Sequence, residues 1–235
     1  MRKGLISFVL VSLFCFLTSV AADDVDVLIK QLSKGNPKER VAAAKELGDK
    51  KDSRGVNPLI TALKKDRSWD VRLAAENALV SIGGPSIPAL IQLLNEDQNC
   101  FVRRRAARAL KDMDETCDPK ALKKAAKQDS DCCVRRFAIK ALAEIKDPSV
   151  SEFLDDSMRK KDLEVISNAY QYYIKKGEAG TEGILIEALQ AYDKKMILDF
   201  AHSGNEKLLQ AAQEVARKRG YRISPDWSGP KWGAS

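Results

Sequence analysis

Three stretches decide how this chain is read: Val71-Arg72-Leu73-Ala74-Ala75-Glu76-Asn77-Ala78-Leu79, Val102-Arg103-Arg104-Arg105-Ala106-Ala107-Arg108-Ala109-Leu110 and Val134-Arg135-Arg136-Phe137-Ala138-Ile139-Lys140-Ala141-Leu142. They align without gaps as V-R-x-x-A-x-x-A-L and begin 31 and 32 residues apart. Val, both Ala and Leu recur at helical spacing, so they form one apolar stripe on a helix. Alanine at two of those positions lets a neighbouring helix come close. Five residues before each Val stands an aspartate: Asp66, Asp97 and Asp129. Upstream of each lies a second apolar period opened by proline, at Pro58–Leu63, Pro88–Leu94 and Pro119–Leu122. Proline suits a helix start because no acceptor is needed for its missing N–H. Each unit therefore reads as a helix A, a polar turn carrying Asp, and a helix B. Gly83-Gly84 reads as the stop of one B helix.

Weaker copies flank these three. Upstream, Glu39 to Gly48 fits a B helix, with Val25–Leu32 as its A helix. Downstream, Val165 to Tyr173 keeps the spacing but loses the arginine. Glu182–Tyr192 reads as an A helix and Met196–His202 as short and irregular. Asn205–Arg219 reads as a last helix, capped by Asn205 and stopped by Gly220.

The pattern D-x-x-x-x-V-R-x-x-A-x-x-A-L at this period resembles the short HEAT-like repeats grouped with phycobilisome lyases. The resemblance is carried by three repeats and extends over most of residues 24–220. It implies an all-α fold: a right-handed α-solenoid of about five to six helix pairs, B helices lining the concave side. A stack of this kind buries its apolar faces only against neighbours, so degenerate terminal copies are expected.

The first 22 residues read differently. Met1-Arg2-Lys3 is basic, Leu5–Leu17 is apolar and uncharged, and small residues end the segment at Ala22. That is the pattern of a secretory signal peptide. The chain then divides into a signal at 1–22, a repeat region at 23–220 and a tail at 221–235. The expected location is the periplasm, or the medium, after cleavage near Ala22. No later segment is long and apolar enough to span a bilayer.

Lys and Arg number 40, Asp and Glu 33, and the formal net charge is +7. Residues 101–140 carry 12 basic and 6 acidic residues, a net +6, so the basic balance resides in repeats three and four. The recurring polar residues Asp66, Arg72, Asp97, Arg103, Asp129 and Arg135 read as a structural ladder between turns. Repeat five has Lys160 and Ile166 at the matching positions, so the ladder is expected to end at repeat four. Opposite the buried stripe lie Arg104, Arg108 and Lys111 in repeat three, and Arg136 and Lys140 in repeat four. A concentrated positive strip favours an acidic partner, and these five are the candidate partner-binding residues. Export argues against nucleic acid.

One histidine, His202, argues against His-rich zinc and di-iron sites and against a His-Glu hydroxylase site. It reads as a helix-end residue bonded to backbone. No catalytic constellation is legible, so no enzyme activity, cofactor or metal is expected. Cys15 falls in the signal. Cys100 and Cys132 occupy equivalent repeat positions, so a disulfide from Cys100 to Cys132 or Cys133 would staple repeats three and four, provided the turns lean together. Cys117 lies on the opposite edge. The tail holds Trp227 and Trp232 among Pro225, Gly229 and Pro230. It either caps the last repeat's apolar edge or docks a partner. The functional expectation is an exported, non-enzymatic scaffold binding an acidic protein on its concave basic face. The alternatives are an accessory subunit of an envelope complex and, implied only by the resemblance, a bilin-lyase-like enzyme.

Overall fold

The computed structural model describes residues 24–113, 119–190 and 193–234. The signal segment, Cys15 and Cys117 lie outside the described residues. Among the described residues there are helices and no strand, and no single helix is long and apolar enough to cross a membrane. The fold is an all-α solenoid of stacked helix pairs. It divides into two compact units, one ending at Ser86 and one beginning at Ile87.

The first unit holds α1 (Asp24–Lys34), α2 (Pro37–Lys50), α3 (Val56–Lys65) and α4 (Trp69–Ile82). α1 pairs with α2 and α3 with α4, and the two B helices α2 and α4 pack along each other. The second unit runs through α5 (Ile87–Glu96), α6 (Cys100–Lys111), α7 (Pro119–Gln128), α8 (Cys132–Glu144), α9 (Pro148–Arg159), α10 (Leu163–Asn168), α11 (Tyr170–Lys176), α12 (Glu182–Glu187), α13 (Lys194–Ala201) and α14 (Glu206–Arg219). Within it, α5 pairs with α6 and α7 with α8. The B helices α6 and α8 stack, and α13 pairs with α14.

The apolar stripe explains the packing. Val71, Ala75, Ala78 and Leu79 are buried, as are Val102, Ala106, Ala109 and Leu110, and Val134, Ala138, Ala141 and Leu142. Where a chain must approach more closely still, glycine replaces alanine. A Cβ on Gly48 in α2 would lie 2.8 Å from the Ala78 Cα of α4. Local signals fix the helix starts. Asn36 accepts the Lys38 and Glu39 N–H groups, and Glu39 accepts the Asn36 N–H in return, a reciprocal cap on α2. Asn99, Asp131, Asp147 and Asn205 cap α6, α8, α9 and α14 in the same spirit. Gly83 and Gly220 end α4 and α14 with positive φ.

Four local expectations change. Pro58 and Pro88 do not open their helices; α3 starts at Val56 and α5 at Ile87, each after a 3₁₀ turn. Both prolines still lie in the first turn, where the missing N–H has no helical acceptor. The fifth B helix breaks at Ala169, whose φ and ψ are −108° and 14°. Ala169 N still donates to the Val165 carbonyl at 2.9 Å, and the next turn starts afresh with Tyr172 N donating to the Ala169 carbonyl at 2.9 Å. Residues 194–201 form a regular helix, α13, and α12 ends at Glu187.

Gly48→Ala gains up to about 1 kcal/mol of helix propensity. Overpacking against fixed backbone costs about 1–3 kcal/mol. The variant should therefore be net destabilised, with a lower midpoint in urea unfolding; a midpoint equal to or above that of the parent contradicts the α2–α4 close approach.

Candidate functional site

The B-helix arginines join repeats. Arg40 donates through Nε and Nη2 to both carboxylate oxygens of Asp66, at 2.7 and 2.9 Å. Arg103 does the same to Asp129, at 2.8 and 2.9 Å. Arg135 donates to Glu164 at 2.9 Å. The remaining nitrogen turns back on its own repeat: Arg72, Arg103 and Arg135 Nη1 donate to the carbonyls of Asp66, Asp97 and Asp129 at 2.6, 3.0 and 2.9 Å. The aspartates also shape their turns. Asp66, Asp97 and Asp129 Oδ1 accept the N–H two residues on, each at 2.9 Å. Burial pushes the Asp66 and Asp129 carboxyls up, but the bonds from Arg40 and Arg103 and from backbone N–H groups outweigh it and hold both below the usual carboxylate range.

This geometry includes a rung that the repeat alignment did not supply, Arg40 to Asp66. It also carries the ladder one step further than Lys160 and Ile166 indicate, because Glu164 replaces the missing aspartate. Arg40 was legible in Glu39-Arg40-Val41, a shifted copy of V-R.

The five strip residues do not behave alike. Arg104 Nε and Nη2 donate to Asp131 at 2.8 and 2.6 Å, and Asp131 at the same time caps α8 through the Cys133 and Val134 N–H groups. That bond from Arg104 comes first among the causes holding Asp131 well below the usual range. Arg104 is thus a repeat-to-repeat tie. Lys111 pairs with Asp112, and Arg108 is half-buried. Arg136 is exposed, lies over the Phe137 ring at 5.3 Å and donates weakly to Cys133 Sγ at 3.8 Å. Lys140 is half-buried. Among the described residues neither Arg136 nor Lys140 has a carboxylate within ion-pair distance. Beside the strip stands Phe101, 63% exposed, with the Arg104 guanidinium 4.9 Å from its ring centroid. Exposed aromatics next to arginine are the usual anchors of protein interfaces. A groove of about 460 Å³ runs from Cys133 and Arg136 of α8 past Glu164, Ser167 and Asn168 to Glu187 and Gln190, so it carries two carboxylates beside its one guanidinium.

The expected staple between repeats three and four is corrected. Cys100, Cys132 and Cys133 are free thiols. Cys100 and Cys132 open α6 and α8, and stacked helices lie about 8–10 Å apart while a disulfide needs Cα atoms within about 7 Å. A long arginine, Arg104 reaching Asp131, spans that gap instead. Among the described residues no group of His, Cys, Asp or Glu is placed to hold a metal. His202 Nδ1 donates to the Leu198 carbonyl at 2.9 Å, ending α13.

The tail settles against its own chain. Trp232 N donates to Ser203 O at 2.8 Å, Gly233 N to Ile174 O at 3.0 Å, and Lys231 Nζ to His202 O at 2.6 Å. Trp227 Nε1 donates to Asp199 Oδ1 at 2.7 Å. Asp199 is fully buried and accepts three more bonds, from Tyr170 OH at 2.6 Å, Gln171 Nε2 at 2.6 Å and Lys195 Nζ at 2.8 Å. The sequence reading passed over this hub. Its one signal is a lone aspartate inside the apolar run Met196–Phe200.

Burial pushes the Asp199 carboxyl up, yet its four donors, Lys195 first, bring it below the ordinary range. Its stabilising effect is therefore complete above the unfolded value of about 4 and is lost as acid protonates the folded carboxylate. Asp199→Asn should lose about 2–4 kcal/mol at neutral pH. Its tryptophan emission should shift to the red, and its acid-unfolding curve should be flatter than the parent's. Unchanged emission and unchanged acid sensitivity contradict the hub.

Among solved structures, that of an engineered protein is similar over 85% of this chain and 98% of its own, with 21% identity and a TM-score of 0.39. No curated protein matches. HEAT repeats match twice, over residues 25–111 and 87–175, a span of more than half the chain that contains all three V-R-x-x-A-x-x-A-L helices. The stacked pairs built on those helices and this double match agree: the chain belongs to the HEAT-repeat family.

Proposed function

We propose that this chain is an exported, non-enzymatic scaffold that binds an acidic protein segment on the B-helix face of repeats three and four. The observation that carries the reading is the contrast among its arginines. Arg40, Arg103, Arg104 and Arg135 each hold a carboxylate of the next repeat, whereas Arg136 and Lys140 on the same kind of helix hold none among the described residues. Charge without a structural partner, in the part of the chain that holds +6 of the net +7, is charge available to another molecule. Phe101 adds an exposed aromatic to that face.

The packing supports an inward-facing surface. In each unit the B helices pack on each other more extensively than the A helices do, an arrangement that curves a stack toward its B side. Support for a non-catalytic role comes from the carboxylates. Asp66, Asp129, Asp131 and Asp199 are all held ionised by structural donors, the opposite of a general acid raised toward neutrality. Support for export comes from residues 1–22, with their basic start, apolar run and small-residue end.

The test is capture from an envelope extract with the parent protein and with Arg136→Glu/Lys140→Glu, leaving Arg104 in place because it ties two repeats. Reversal of two interface charges should lower recovery of acidic partners by about tenfold or more, and most strongly at low salt. Recovery of the same partners at equal strength contradicts the proposed face.

A further inference from the structure

The hydrogen bonds at Asp199 divide between its two oxygens. Tyr170 OH, Gln171 Nε2 and Lys195 Nζ, all on helices of the second unit, donate to Oδ2 at 2.6, 2.6 and 2.8 Å. Oδ1 is left to the tail: among the described residues its donor is the Trp227 indole N–H, at 2.7 Å. The helices alone therefore fix the carboxylate and leave one oxygen for a donor from outside them. A buried acceptor without a donor is costly, so this socket is complete only when an N–H group sits in it. Lys195 Nζ lies 5.8 Å from the Trp227 ring centroid and 5.9 Å from that of Tyr170, which favours a donor carried on an aromatic ring. Two residues on, the tail backbone passes so close that a Cβ on Gly229 would run into Asp199 Oδ1 and lie 3.0 Å from Trp227 Nε1. On the helical side, a Cβ on Gly177 would run into the backbone of Gly233. The socket thus reads an indole N–H followed two residues later by glycine.

The tail reaches this socket over a tether that holds nothing. α14 ends at Gly220 with a φ of 69°, and Arg222, Ser224, Pro225 and Asp226 are exposed. Among the described residues, 222–226 make no hydrogen bond or ion pair. Beyond Trp227 the latch is main chain, with Trp232 N on Ser203 O and Gly233 N on Ile174 O. None of these contacts depends on tail and socket belonging to one molecule, and an exchange between two copies creates no new contact and loses none. We propose that the Asp199 socket is a recognition site for an extended Trp-x-Gly segment, and that two copies of this chain join by seating the Trp227–Gly233 segment of each in the socket of the other. The chain's own tail competes at an effective concentration on the order of millimolar, so exchange sets in as the protein approaches that concentration. The site does not rest on the scaffold reading.

The test has two arms, both on the full chain. In the first, the Trp227→Ala variant, whose socket is vacated, is titrated with a fluorescein-labelled peptide of residues 221–234 and followed by anisotropy. It should bind the peptide about tenfold or more tightly than the parent, whose own tail competes. Gly229→Ala in the peptide should weaken binding about tenfold, and so should Trp227→Phe, which keeps a ring and removes the N–H. Equal binding by parent and variant, equal binding of the altered peptides, or no binding at all overturns the socket. In the second arm, a photo-crosslinking amino acid replaces the exposed Ser228 in a mixture of light and isotopically heavy chains. Crosslinks from position 228 to α13 of a differently labelled chain should rise with concentration up to about 1 mM and vanish on Trp227→Ala. Crosslinks confined to one chain across that range overturn the assignment to a second copy. This arm keeps the parent's tail and socket, so it decides the matter even where Trp227→Ala fails to fold.

Discussion

A two-helix repeat cannot bury its own apolar stripe; only the next repeat can. That constraint sets the composition of every B helix in the regular part of this chain. The positions facing a neighbour are Val, Ala, Ala and Leu, small enough for helices to stack and apolar enough for stacking to be favourable. Gly48 against Ala78 is the limiting case, where even one methyl is too many. Once this stripe is fixed, the opposite face of each B helix is free to vary, and variation there separates one repeat from another.

The same constraint governs the polar residues. Arg40 and Arg103, at the second position of the pattern, reach across to the following repeat and meet an aspartate in two-point geometry. Each pair is partly buried and helps to fix the register of one repeat on the next. Arg104 with Asp131 extends the scheme to the outward face and takes the place of a disulfide. Against that background Arg136 and Lys140 are exceptions, and they are exceptions in the segment with the highest positive charge. At the far end of the second unit the repeats lose their regularity. The structure there relies on a different device, a buried Asp199 that gathers Tyr170, Gln171, Lys195 and the tail residue Trp227.

The regular repeats were legible because they are periodic. Three copies of one pattern identify the buried stripe, the helix pairs and the ladder aspartates with no knowledge of the fold. Reading became harder where apolar spacing runs on through a backbone break, as at Ala169 in the fifth B helix, or where a substitute came from a new position, as Glu164 does for the missing aspartate. The strip of five cations was visible as charge, but pairing depends on which carboxylate a guanidinium meets in three dimensions. Arg104 and Arg136 hold the same repeat position, yet Arg104 meets Asp131 and Arg136 meets no carboxylate among the described residues. The tail's two readings were both open from composition, and hydrogen bonds to Asp199, Ser203, His202 and Ile174 decide for packing on the chain itself. The conformation of residues 1–22 and the pairing of Cys117 fall outside the described residues.

The central claim is that Arg136 and Lys140 of α8, which meet no carboxylate among the described residues, form the working surface. It is tested most directly by placing a photo-crosslinking amino acid at position 136 and, separately, at position 124 on the exposed side of α7, and by identifying the adducts formed in living cells by mass spectrometry. The account predicts that position 136 yields discrete adducts mapping to acidic segments of one or a few proteins, and that position 124 does not. Adducts that are the same from both positions, or that arise from position 124 alone, contradict it.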